Sequence, residues 1–306
     1  MTDSTQENQQ AEVKSKYDEL PDAPPKKKIK LSWVGKTSVG VIVFWLVICL
    51  IGPSIAPFHE ADIMAYDSFM PIFTETEGEG MHWLGTDYLE RDIFSRIIWG
   101  ARTTIGISVV ATLMAYLFGV TLGIAAAVAG GWTDMALSRV NDAILSLPTI
   151  MLGLLIVVAL GASIPVLIGT ATLIYASSVF RIARALGQDI MVMDFVEAAR
   201  ARGEGLWWVI TREVLPNAAM PLATDFGLRL VFVVLFIASM SFLGLGIQPP
   251  AADWGSMVRQ NLEGLGYGSY AAIWPALAIA TFTISINLIV DDISAKEGGS
   301  LAKKMI

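Results

Sequence analysis

The sequence holds one cysteine, Cys49, and two histidines, His59 and His82. A lone thiol excludes an internal disulfide and a thiolate metal cluster. The histidines stand in no ligand-spaced pair, so no zinc or protease site is legible. No Gly-x-Ser-x-Gly nucleophile elbow occurs. Gly35-Lys36-Thr37 resembles the end of a phosphate-cradling loop, yet Lys30 stands where such a loop needs its earlier glycine, and an apolar stretch follows in place of a soluble helix. The residues offer no catalytic group, no metal ligand and no cofactor site of the chain's own.

Charge is scarce as well. Of 306 residues, 54% are hydrophobic and 16% charged, and the mean hydropathy is +0.59, which soluble domains rarely reach. No Asp, Glu, Lys or Arg occurs from Thr37 to Phe58, Thr103 to Thr133, Ala143 to Phe180, Leu230 to Ala252, or Gly264 to Val290. About 20 apolar residues cross a bilayer as a helix. The third stretch is long enough for two helices, with Gly161-Ala-Ser-Ile-Pro165 as the turn between them. The expected fold is an all-α membrane protein with six transmembrane helices.

Six spans place both termini on one side, together with the loops near residue 139 and over 181–216. Most of the 21 basic residues lie on that side, among them Lys26, Lys27, Lys28, Lys30, Arg181, Arg184, Arg200, Arg202 and Arg212. The enrichment marks it as cytoplasmic. The expected organisation is a disordered cytoplasmic tail over 1–36, a first membrane anchor over 37–58, an external loop over 59–101, a five-helix core over 102–294 and a cytoplasmic tail over 295–306. The late start of the first apolar stretch argues against a cleaved signal peptide. The net charge of -7 comes largely from the first tail and from the acidic loop between Glu60 and Asp92, a run that solvation alone explains.

Asp194-Phe-Val-Glu-Ala-Ala-Arg-Ala-Arg-Gly203 interrupts the apolar pattern. Asp194 and Glu197 form a capping-box spacing and Gly203 is a left-handed stop, which predicts a short helix from about Phe195 to Arg202 that stands without lipid. Glu197 in its first turn and Arg200 and Arg202 in its last complement the helix dipole. Trp207 and Trp208 suit the bilayer interface. Asp225 and Arg229, spaced i, i+4 near the start of the fifth span, and Thr283 and Asn287, one turn apart in the sixth, are polar groups that line a pathway or join helices. A gradient-driven carrier would depend on Asp225 and Arg229; a membrane-embedded sensor has no positive feature in its favour.

Glu197-Ala198-Ala199, then Gly203, then Leu215-Pro216 resembles the EAA loop of permease subunits in ABC importers, with Glu213 where that pattern has Ile. Gly85-Thr86-Asp87, Arg91-Asp92, Ser95-Arg96 and Gly100-Ala-Arg102 resemble the external segment of permeases of the dipeptide, oligopeptide and nickel class, with Glu90 in place of the usual glycine. Ser241-Phe-Leu-Gly-Leu-Gly-Ile-Gln-Pro-Pro250 and Asp253-Trp254-Gly255 resemble the segment leaving the fifth span in that class. The resemblance covers about 32–291 and is to the second permease subunit of such a system. It implies a six-helix type I permease core in the cell inner membrane, and no enzymatic activity in this chain. The implied partners are a homologous second permease, two ATP-binding cassette ATPases that bind the ATP and magnesium, an external solute-binding protein and the lipid bilayer, with no nucleic acid. It further implies that Glu197, Ala198, Ala199, Arg200, Gly203, Leu215 and Pro216 couple the chain to an ATPase, with Gly203 turning it toward the next helix. Gly244, Gly246, Pro249 and Pro250 end the fifth span beside the outer face, where they help form an outer gate or only a turn.

Overall fold

A computed structural model of the chain describes residues 31–63, 67–76 and 80–302, with side chains described to residue 295. The expected tail over 1–36 therefore lies mostly outside the described residues, as do 303–306. The first helix, α1 (Trp33–Ile55), begins inside that expected tail and ahead of the anchor predicted over 37–58. The hydroxyl of Ser32 caps it by accepting from the Gly35 amide at 3.1 Å, and Lys36 is exposed in its first turn. A long basic side chain at a span's end reaches water along its own stem, so one charge does not delay the helix.

The short hairpin β1 (Thr74–Thr76) and β2 (Gly80–His82) pairs Thr74 with His82. Next, α2 (Ile93–Ala129) is capped by Asp92, which accepts from the Ser95 amide at 2.7 Å. It starts well before the core boundary predicted at 102, so the loop expected over 59–101 ends at Asp92. The charge that hid this start, Arg96, is buried beside Asp87 at 3.4 Å.

The third charge-free stretch does yield two helices joined near 161–163, but the first is broken. Helices α3 (Gly131–Leu145) and α4 (Thr149–Leu160) meet at 86°, the bend of a broken span or a re-entrant pair. Pro148 has no amide to continue the ladder and pushes Leu147 out of helical geometry. α5 (Ile164–Met191) is followed by the short α6 (Asp194–Ala201). α7 (Leu206–Phe242) is a single long span whose Val209–Val214 segment is π-helical, just before Pro216, which cannot donate to the preceding turn. α8 (Trp254–Gln260) and a 3-10 turn (Leu262–Tyr267) precede α9 (Ile273–Ala302), which runs on through the tail predicted from 295. By length and composition the described residues hold five spanning helices plus the bent pair.

The closest pairing is α2 on α5. A Cβ at Gly119 would stand 2.7 Å from the Ala176 carbonyl oxygen, and one at Gly123 2.6 Å from that of Phe180. Small residues one turn apart let the backbones touch, the usual means of joining helices where lipid removes the hydrophobic drive. Because α7 is continuous, it separates two ends of the bundle. One end carries α6; the other carries the hairpin loop and α8.

Candidate functional site

At the first end, α6 is anchored by Val196 and Ala199, both fully buried, Val196 in one apolar cluster with Ile124, Ala183, Val209 and Val214. The expected cap differs: Met193 is the N-cap, with Asp194 already the first helical residue, and no side chain caps the helix. Its start is held instead by the Met193 carbonyl, which accepts from the Val196 and Glu197 amides at 2.9 and 3.2 Å, while the Asp194 and Glu197 charges complement the dipole of the first turn. The stop is as predicted. Gly203 has φ +85°, its amide donates to the Arg200 carbonyl at 2.9 Å, and the Glu204 amide to that of Ala199 at 3.2 Å. Those two bonds are the Schellman closure.

The face turned away from the bundle comprises Phe195, Glu197, Ala198 and Arg200. Among the described residues, the side chains of Glu197 and Arg200 have no hydrogen-bond or ion-pair partner. Ala199, expected beside Ala198 on the docking face, points into the chain's own core. Beyond Gly203, Trp207 is 76% exposed and Trp208 lies under the Arg202 guanidinium, 5.8 Å from its ring centre. Leu215 is half-buried and Pro216 exposed, following the π-helical turns that root α6 in α7.

At the other end, the two external signatures form one buried polar knot. The Asp87 carboxylate accepts from the Leu89 amide (2.8 Å), the Arg91 amide (3.0 Å) and Arg91 Nε (2.8 Å). Thr86 Oγ1 donates to the Asp67 carbonyl at 3.1 Å and accepts from the Met70 amide at 2.8 Å. Gly85 closes the loop through its carbonyl, which accepts from the Ile93 amide. Glu90 holds φ +63°, the left-handed conformation that the usual glycine adopts without strain. Thr104 of α2 donates to Asp253 Oδ1 at 2.9 Å and accepts from the Trp254 amide at 3.1 Å. Burial pushes the Asp253 carboxyl above its ordinary range. Arg102 is exposed and takes no part. His82 and Asp92, 3.0 Å apart and both buried, are a pair that only the hairpin creates.

Between the ends, Asp225 and Arg229 pair with each other: Nε lies 3.2 Å from Oδ1 and Nη2 at the same distance. Tyr116 of α2 donates its hydroxyl to the same carboxylate, a third member that sequence spacing could not supply. Arg229 stands 13 residues before Phe242, about 20 Å from that end of the helix at 1.5 Å per residue. Thr283 and Asn287 are not part of this group. Thr283 bonds back to the Ile279 carbonyl at 2.8 Å, and Asn287 is half-buried on α9.

Residues 119–295 match the family described as the inner membrane component of binding-protein-dependent transport systems. The chain is 32% identical over 238 residues to a glutathione transport system permease protein of Pectobacterium atrosepticum, covering 75% of this chain and 77% of the relative. It is 30% identical over 265 residues to a dipeptide transport system permease protein of Alkalihalophilus pseudofirmus, covering 87% and 84%. Among solved structures, an inward-facing form of the MetNI methionine ABC transporter superposes with a TM-score of 0.54 at 17% identity, over 65% of this chain and 95% of that one.

Proposed function

The chain belongs to the binding-protein-dependent inner membrane component family and is a permease subunit of an ABC importer with the type I fold; from that premise we propose how it is coupled and what it carries. α6 is the coupling helix, docking through Glu197, Ala198 and Arg200 on an ATPase that binds the ATP and magnesium. The observation that carries this is the helix itself: eight residues closed by Gly203, seated through Val196 and Ala199, with an outer face whose charges lack partners among the described residues. Movement of the ATPase would pass through the short link to α7 and rotate that span as a lever.

In the same reading the α6 end and both termini are cytoplasmic, the chain sits in the cell inner membrane, and a second permease completes the pathway. A solute-binding protein delivers cargo at the α8 end. Peptide-like solutes fit best, since the two relatives carry dipeptide and glutathione transport in their names. The test is co-purification of the native-level complex. Wild type should bring down an ATPase and a second permease, and Gly203→Glu should lose the ATPase while the membrane level of the chain is kept. Retention of the ATPase by Gly203→Glu would exclude this docking mode.

A further inference from the structure

Ionisable residues within a spanning helix are costly, and they pair or face a water-filled cavity; Asp225 and Arg229 lie on the long span α7. Arg229 borders a cavity of about 360 Å³ between α4, α5 and α7, whose lining includes Thr149, Tyr175, Ser178, Phe232 and Ser239. That is within the size range of small-solute pockets. The guanidinium is fixed on one edge: Nε and Nη2 face Asp225, and the Tyr116 hydroxyl holds the far oxygen of that carboxylate. Nη1 makes no hydrogen bond among the described residues. A planar fork with one edge anchored and donors remaining is suited to a second carboxylate.

The rest of the lining agrees in chemistry. Tyr175 is held in place by donating to the Phe232 carbonyl at 2.9 Å. The Ser239 hydroxyl donates to the Leu235 carbonyl at 2.7 Å, so it offers lone pairs to an incoming N–H. Phe232 supplies an apolar wall beneath the guanidinium, its ring centre 5.8 Å away. The first turn of α4 borders the same space, and its N-cap, Pro148, provides no capping side chain.

We propose that this cavity is a subsite of the translocation pathway in which Arg229 takes the terminal carboxylate of a peptide, with Ser178 and Ser239 meeting its amide or ammonium groups. The proposal rests on the peptide-importer reading above and deepens it. Asp225 and Tyr116 are positioning residues that aim the guanidinium.

The test is uptake of two probes, dialanine and dialanine C-terminal amide, by cells expressing the whole transporter with its own binding protein and lacking other peptide uptake. Binding-protein-stimulated ATP hydrolysis by the purified complex is followed in parallel. Because the binding protein is unchanged, any change in the ratio of the two uptake rates reports on the permease. Arg229→Gln combined with Asp225→Asn, which leaves no buried unpaired charge, should cut dialanine uptake at least tenfold and amide uptake less than twofold, with assembly and stimulated hydrolysis retained. Arg229→Lys should keep part of the preference. Equal loss of both probes, with lowered complex yield, would make the pair purely structural and overturn the proposal, as would an unchanged ratio. Absence of dialanine uptake in wild type would instead overturn the peptide-importer reading, and this proposal with it.

Discussion

The indole Nε1 of Trp254 donates to the Ile97 carbonyl at 3.0 Å, joining residues 157 positions apart. The bond fastens α8 to the second turn of α2, and the Thr104–Asp253 bond ties the start of α8 to the same helix. Trp254 is fully buried, and its ring meets Trp45 of α1 edge-on with ring centres 4.8 Å apart. Trp254→Ala should therefore cost about 3–5 kcal/mol of stability. Trp254→Phe, which keeps most of the ring but loses the bond to the Ile97 carbonyl, a group that still serves the α2 ladder, should cost about 0.5–1.5 kcal/mol. Thermal unfolding of the detergent-purified complex checks both; no loss for Trp254→Phe would show that the hydrogen bond contributes nothing, and equal losses for the two variants would show that the ring packing does not.

Glu90 is strained by its own backbone. A left-handed conformation costs a side-chain-bearing residue about 1–2 kcal/mol, and among the described residues the Glu90 carboxylate has no hydrogen-bond or ion-pair partner to offset it. Glu90→Gly should raise stability by about 0.5–1 kcal/mol after the entropy that glycine loses on folding. The melting temperature of the same complex reports it, and a decrease would mean that Glu90 makes a contact outside this chain.

Asp253 should give the knot a pH dependence of definite sign. Burial raises its carboxyl above the ordinary 3.8, so folding takes up a proton between the two values. Its contribution is then most favourable at low pH and is lost as pH rises through the folded-state value. Asp253→Asn cannot titrate. The melting temperature of wild type minus that of Asp253→Asn should fall as pH rises from about 4 to about 7, and a difference that grows over that range would contradict the buried-carboxyl account.

Much of this architecture is legible in the sequence because membrane helices announce themselves by the absence of charge. The turn at 161–163 and the stop at Gly203 were equally plain, since each depends on a local conformation. What failed were inferences that equated charge with loop. Lys36 and Arg96 both lie inside helices, one reaching water and the other paired with Asp87. The break at Pro148 carried a signal of its own, but the length of the charge-free stretch masked it. Contacts set by tertiary structure left no trace at all: Tyr116 meets Asp225 across 109 positions, and the inward turn of Ala199 depends on where α6 lands. Ala198 and Ala199 are alike as residues and opposite in exposure.

That contrast supplies the most direct test of the central claim. With Cys49 replaced by Ala, single cysteines at Ala198 and Ala199 can carry a thiol-linked photoactivatable cross-linker in the intact transporter. Docking of α6 on the ATPase predicts a strong cross-link from Ala198→Cys and little labelling or cross-linking from Ala199→Cys, whose position is fully buried. Equal cross-linking from both positions, or none from Ala198→Cys in a complex that still hydrolyses ATP and imports solute, would contradict the assignment of α6 as the coupling helix.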